Sequence, residues 1–166
     1  MGQKYISTLK KYWLPISVIG LTFLFGLTIF YSLYEQRVSL DKLIHSDINK
    51  LSLALESINK DAKIIGFEHV QNHINFLNVV SFVGSEVGPM NLASPKGWKG
   101  PYLNDNPTMQ EHYYLVVKLG SDYYITPGEG VKLSSGQRVG KNIQLDSVEG
   151  VKLLLANGLA YKLSLK

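Results

Sequence analysis

Three clusters in this sequence carry residue types that could do chemistry. His69 and His73 stand four residues apart in "GFEHVQNHINF", with Glu68 beside the first. Two imidazoles on one helical face can hold zinc, but a third ligand is needed. Nothing in the sequence brings His45 or His112 to them, and the H-E-x-x-H arrangement is absent. The pair therefore reads as a partly solvated helix face. Asn104-Asp105-Asn106 has the look of a cation loop, yet Pro107 follows and no distal glutamate completes the pattern. It reads as a turn closed by side-chain-to-backbone hydrogen bonds. Ser134-Ser135-Gly136 is an ordinary turn, and no G-x-S-x-G, phosphate-binding or dinucleotide fingerprint occurs. With no cysteine, disulfides, thiolate metal sites and cysteine nucleophiles are excluded. The expectation is a protein that is not an enzyme and holds no cofactor or metal.

The elements that would position such residues begin with a membrane segment. From Trp13 to Tyr34, "WLPISVIGLTFLFGLTIFYSLY" carries no charge, close to the roughly 20 apolar residues that cross a bilayer core. Pro15 falls in the first turn, where its missing N–H costs little. Trp13, Tyr31 and Tyr34 sit near the ends, where amphipathic rings favour the headgroup region. The apolar run is longer than a signal peptide's and no A-x-A site follows it, so a retained signal-anchor helix over 13–34 is expected. Lys4, Lys10 and Lys11 precede it and no acidic residue does, which places the tail 1–12 in the cytoplasm. The remaining 14 of the 17 basic residues face all 13 acidic ones, leaving the exported part at +1. The overall +4 is a topology signal, and nucleic-acid binding is not expected.

Residues 35–166 form the expected exported domain. Leu40, Leu43, Ile44, Ile48, Leu51, Leu55 and Ile58 recur at helical spacing, interrupted by Asp47, and predict a helical spine over 35–63 continuous with the membrane helix. Gly66 closes it. Phe67, Val70, Ile74, Leu77 and Val80 predict a second helix, followed by loop to residue 92. The rest, 112–166, reads as mainly β: a hairpin around Gly120-Ser121-Asp122, short strands, a possible helix capped by Asp146, and a terminal strand alternating Leu159, Tyr161, Leu163 and Leu165. Helix and strands are segregated, so the class is α+β, a long N-terminal helix packed on a small antiparallel sheet.

Between these lies 93–111, opening "ASPKGWKGPYLND", too broken for a helix and too rich in large anchors for a passive loop. Trp98 and Tyr102 each offer an apolar body and one polar handle, suited to pinning irregular backbone onto a sheet. Trp98, Gly100, Pro101 and Tyr102 are the expected loop anchors, with Lys99 facing solvent between them.

This order, together with "GWKGPYL", resembles the pilin superfamily, most of all the pseudopilins of type II secretion and type IV pilin-like proteins. The resemblance implies a helix that is half anchor and half spine, laid against an antiparallel sheet, with the Trp98–Tyr102 run between them. It also implies a structural component of a bacterial secretion or pilus-type machine in the inner membrane, with the domain periplasmic or extracellular and contacting other subunits through its helix and loop. The family's processing signals are missing. Lys10-Lys11 leads into "YWLPISVIGL" without a glycine junction, residues 12–34 hold no glutamate, and "PGEGVKLSSGQRVG" has a single carboxylate where a calcium loop would need more. The alternative is a membrane-tethered sensory or ligand-binding domain. A concave apolar pocket would mark that reading, a filled core the other.

Overall fold

The computed structural model describes residues 2–165, and side chains over 17–34 and 40–165. The chain opens with helix α1, Gly2–Ala62, and divides between Ser39 and Leu40 into two compact units. In the first unit Ser17–Tyr34 is long and apolar enough to cross a membrane. Its described side chains are exposed, including Leu21, Phe25 and Phe30. The hydroxyls of Thr22 and Thr28 donate back to carbonyls three and four residues earlier, so these polar groups are satisfied inside the helix, as lipid would demand. The side chains of Lys4, Lys10, Lys11, Trp13 and Pro15, on which the tail and the start of the anchor were read, lie outside the described residues.

In the second unit α1 supplies the core. Ile44, Ile48, Leu51, Leu55 and Ile58 are buried, Ala54 and Ala62 with them, and Leu40 packs half-buried at the edge. This is the 3–4 spacing of a single helical face. Leu43 departs from the expectation: it is 53% exposed. The face is centred on the row 44-48-51-55-58-62, and a residue one step before Ile44 is turned about 100° away from it. Asp47, which interrupts the apolar pattern, accepts a 3.1 Å hydrogen bond from the hydroxyl of the fully buried Tyr114. Burial raises the Tyr114 phenol well above its usual range.

Against this helix lie short antiparallel strands. They are β1 (Ile64–Phe67), β2 (Gln71–His73), β3 (Glu86–Val87), β4 (Met90–Leu92), β5 (Thr108–Met109), β6 (His112–Tyr113), β7 (Leu115–Leu119), β8 (Asp122–Thr126) and β9 (Tyr161–Leu163). A 3₁₀ turn at Pro95–Gly97 and helix α2, Val148–Ala156, complete the described elements. The strands form sheets of order β1-β4-β3, β2-β7-β8-β9 and β5-β6. The class is α+β, as expected.

The second helix expected after Gly66 is not formed; strands β1 and β2 and irregular chain stand in its place. The helix ends because Lys63 turns into the left-handed region at φ 55°, and the Ile64 amide then donates to the Asn59 side chain at 3.0 Å. From there β1 pairs with β4, and Gly66 lies inside β1 instead of closing a helix. Phe67, Ile74 and Leu77 are buried while Val70 and Val80 are exposed, so the helical spacing of these five apolar residues was fortuitous. A buried Asn72 closes the β1–β2 connection. Its side chain accepts from the His69 amide and donates to the His69 carbonyl.

The C-terminal readings fare better. The hairpin turns at Gly120-Ser121, with Leu119 opposite Asp122. The terminal strand is shorter than expected, Tyr161–Leu163, and pairs with β8; Leu163 is buried within it, while Leu159 and the adjacent Ala160 are both buried just before it. Helix α2 forms one residue later than expected: Ser147, not Asp146, caps it by accepting from the Gly150 amide at 3.0 Å.

If the row 44–62 is the spine, the leucines of α1 should divide sharply in a denaturation series on the detergent-solubilised chain. Leu55→Ala, fully buried, should cost about 2–5 kcal/mol. Leu53→Ala, at 67% exposed, should cost less than about 0.5 kcal/mol. Equal losses at the two positions would contradict the packing described.

Candidate functional site

The feature that stands out from ordinary domain packing is the junction between the last turn of α1 and the segment 93–103. Backbone bonds set its frame. The Ala93 amide donates to the Lys63 carbonyl at 2.8 Å and the Ser94 amide to the Ala62 carbonyl at 2.9 Å, which satisfies carbonyls the helix end leaves open. The Tyr102 and Leu103 amides both donate to the Leu77 carbonyl, at 2.8 and 3.1 Å. The loop is therefore held at both ends before any side chain is counted.

Aromatic rings fill the space between. Trp98 and Tyr102 meet edge to face with centroids 4.9 Å apart, and Phe82 meets Trp98 the same way at 5.3 Å. Such pairs add to the area the rings bury. The Trp98 indole N–H donates to the Val79 carbonyl at 3.2 Å. Both tryptophan and tyrosine are partly buried against the core.

Two glycines explain why the turn needs its composition. A Cβ on Gly97 would sit 2.0 Å from the Asp61 carbonyl oxygen, and one on Gly100 would sit 2.4 Å from the Val79 carbonyl oxygen. Both obstacles are backbone, so a side chain at 97 would push the loop off the helix and one at 100 would push it off the segment at Val79. The peptide bond between Gly100 and Pro101 is cis. Pro101 itself is exposed.

The polar centre of the junction is Asp61. Its carboxylate accepts 2.8 Å from the Lys99 ammonium and 3.2 Å from the Tyr102 hydroxyl. That hydroxyl in turn accepts from the Lys99 amide at 3.2 Å. Asp61 is 14% exposed and Lys99 71% exposed. The Lys99 hydrogen bond holds the Asp61 carboxyl below its ordinary range, and the same contact raises Lys99. Burial raises the Tyr102 phenol. Lys99 is thus exposed, as expected, but not free, because its head reaches back to the helix. Asp61 was missed from the sequence. Its one legible signal was an acidic residue in the last turn of a helix, where the macrodipole disfavours it unless a cation answers it.

The other candidates do not assemble into sites. His69 and His73 lie in a turn and on β2, not on a helix, and the His73 ring packs beside Tyr113. Asn106 bonds the Leu77 amide at 2.8 Å and the Asn78 side chain at 2.9 Å, which makes it a turn closer. Among the described residues no group of three or more His, Asp or Glu could hold a metal. Two surface depressions involve the C-terminal segment. One of about 320 Å³ is lined by residues including Lys141, Gln144, Glu149 and Leu153, the other of about 140 Å³ by residues including Gln71, Glu129 and Asp146. Both are largely polar and open.

No family model, curated protein or solved structure matches this chain.

The junction makes two predictions. Gly97→Ala and Trp98→Ala should each lower the stability of the full chain by about 1–4 kcal/mol, the first by forcing backbone apart and the second by emptying a partly buried ring site; unchanged denaturation midpoints would mean the loop is not pinned. The Asp61–Lys99 contact should show in the pH dependence. A lowered carboxyl stabilises the fold above its unfolded value, about 3.9, and loses that contribution as pH falls through the folded value. A raised lysine stabilises below its unfolded value, about 10.4, and loses that contribution as pH rises through the folded value. The stability difference between wild type and Asp61→Asn should therefore be a plateau across neutral pH that shrinks at both extremes. A difference independent of pH would contradict the ion pair.

Proposed function

We propose that the protein is a membrane-anchored assembly component of a bacterial secretion or type IV pilus-like machine. In this reading the N-terminus is cytoplasmic, the anchor lies in the inner membrane, and residues 35–166 form a pilin-like domain on the periplasmic or outer side. The observation that carries the reading is α1 itself: one helix bears both an apolar span with exposed side chains and, further along, the buried spine of a β-rich unit. A domain built on its own anchor is suited to transmit position rather than to turn over a substrate. The pinned loop supports the same reading, since a segment that keeps one shape without a bound ligand can serve as a contact surface for neighbouring subunits.

The sensory or ligand-binding alternative asks for a concave apolar pocket with a few convergent polar groups. The two depressions at the C-terminal segment are not of that kind, and the preference for the assembly reading rests on α1.

A reporter that works only outside the cytoplasm, fused after Lys166, should be active, and N-terminal sequencing of the membrane-bound protein should begin at Met1 or Gly2. Exchanging residues 1–39 for a cleavable signal peptide should release the domain and abolish its co-purification with other membrane components. A native protein shortened by its first ~30 residues, the length of a removed signal peptide, would contradict the anchor and the assembly role with it.

A further inference from the structure

We infer that the rim of the α1–loop junction is a docking surface for an acidic segment of a partner protein that carries an aliphatic side chain. The inference deepens the assembly reading and rests on it for the existence of a partner.

The charge is uneven there. The segments 60–66 and 79–101, which the backbone bonds from Ala93 and Ser94 hold together, contain Lys60, Lys63, Lys96 and Lys99 against only Asp61 and Glu86, a net of +2. All four lysines are exposed. Lys99 spends its charge on Asp61, and Glu86 lies on β3. Lys60 makes no ion pair within 4 Å but its charge helps lower the adjacent Asp61 carboxyl, and Lys63 and Lys96 have no ion pair within 4 Å among the described residues. The exported part as a whole is nearly neutral, so the excess is local, and a second one lies at 130–145, where Lys132, Arg138 and Lys141 stand with no acidic residue.

Apolar side chains stand beside it. Val83 is 100% exposed and Val80 68%. The Leu92 amide bonds the Ser85 carbonyl at 2.9 Å, which brings the tip carrying Val83 next to the strand end that leads into Ala93. Phe82 and Trp98 hold that tip from beneath through their edge-to-face contact. A fully solvated valine alone needs no explanation. Two valines on a tip braced by aromatic rings, on the same joined segments as the exposed Lys63 and Lys96, have the composition of a contact patch: an apolar centre with a charged rim. The rim calls for acidic residues, which steer the encounter and fix its register. An anionic membrane surface is the poorer match. Trp98 is partly buried with its N–H spent on Val79, so it is not offered to a headgroup layer, where aromatic rings ordinarily anchor.

The test uses the full chain in an uncharged detergent and short labelled synthetic peptides followed by anisotropy: an acidic peptide with a central leucine, the same peptide without leucine, and a basic peptide with leucine. The acidic leucine peptide should bind tightest. Lys60→Glu/Lys63→Glu/Lys96→Glu should weaken it about tenfold, since each exposed charge contributes modestly, and Val80→Asn/Val83→Asn should remove the advantage of the leucine. Lys118→Glu/Lys141→Glu, away from the junction, should leave binding unchanged, and thermal melts should confirm that every variant is folded. No binding of the acidic peptide, equal binding of the basic one, or equal weakening by the distant pair would overturn the inference. Preferential capture by phosphatidylglycerol vesicles, lost with the same three lysines, would overturn it in favour of lipid. Failure here leaves co-purification with membrane components intact, whereas failure of the assembly reading removes co-purification while peptide binding persists.

Discussion

Everything in the second unit depends on the burial of one helical row, Ile44 to Ala62, against short strands that could not hold together alone. None of the nine described strands exceeds five residues, and the described sheets have four, three and two strands. An isolated two-stranded sheet is marginal in water, and small sheets gain stability by packing an apolar face on a helix. The row on α1 supplies it, with five large aliphatic side chains buried, each worth roughly 1.5–3 kcal/mol on transfer from water. The strands cluster where they do because that row is there.

Burial sets proximity, and polar side chains set position. Along α1 between Asp41 and Asp61 a series of polar groups reaches out to other parts of the chain. Asp41 accepts from the amide and hydroxyl of Ser134. Asp47 accepts from Tyr114, and Glu56 from the hydroxyl of Tyr161 at 2.5 Å. Asn59 bonds the Ile64 amide and the Ser164 carbonyl. Asp61 holds Lys99 and Tyr102. An apolar stripe by itself would tolerate sliding by a turn. A series of hydrogen bonds to specific partners does not, because each slipped register would leave several of them unmade. The pinned loop is the last member of this series, and the close approaches of Gly97 and Gly100 to backbone carbonyls show how little clearance it has.

This division explains what the sequence made legible. The α1 spine, the hairpin and the terminal strand were readable because each has a strict local period or a turn signal, and burial follows that period in Ile44, Leu51, Leu55 and Leu163. Leu43 was misassigned because a spacing of three or four does not fix the centre of a face. The segment 67–80 was misread because its apolar residues fell at helical intervals while the strand partner that claims its start, β4 at Met90–Leu92, is more than twenty residues away. Trp98, Gly100 and Tyr102 stood out by composition, but what they are pinned to did not. Asp61 lies 38 and 41 residues from its two partners, and no local pattern in a single sequence reports contacts of that range.

The most direct test of the α1 row as the organising element is native-state hydrogen exchange on the detergent-solubilised chain, residue by residue. Amides of α1 from Leu51 to Ile58 should open only with strands β7 and β8, at one shared free energy, because neither packs without the other. Exchange of those helix amides well ahead of the strands, as in a frayed stalk beside an independently stable sheet, would contradict the account.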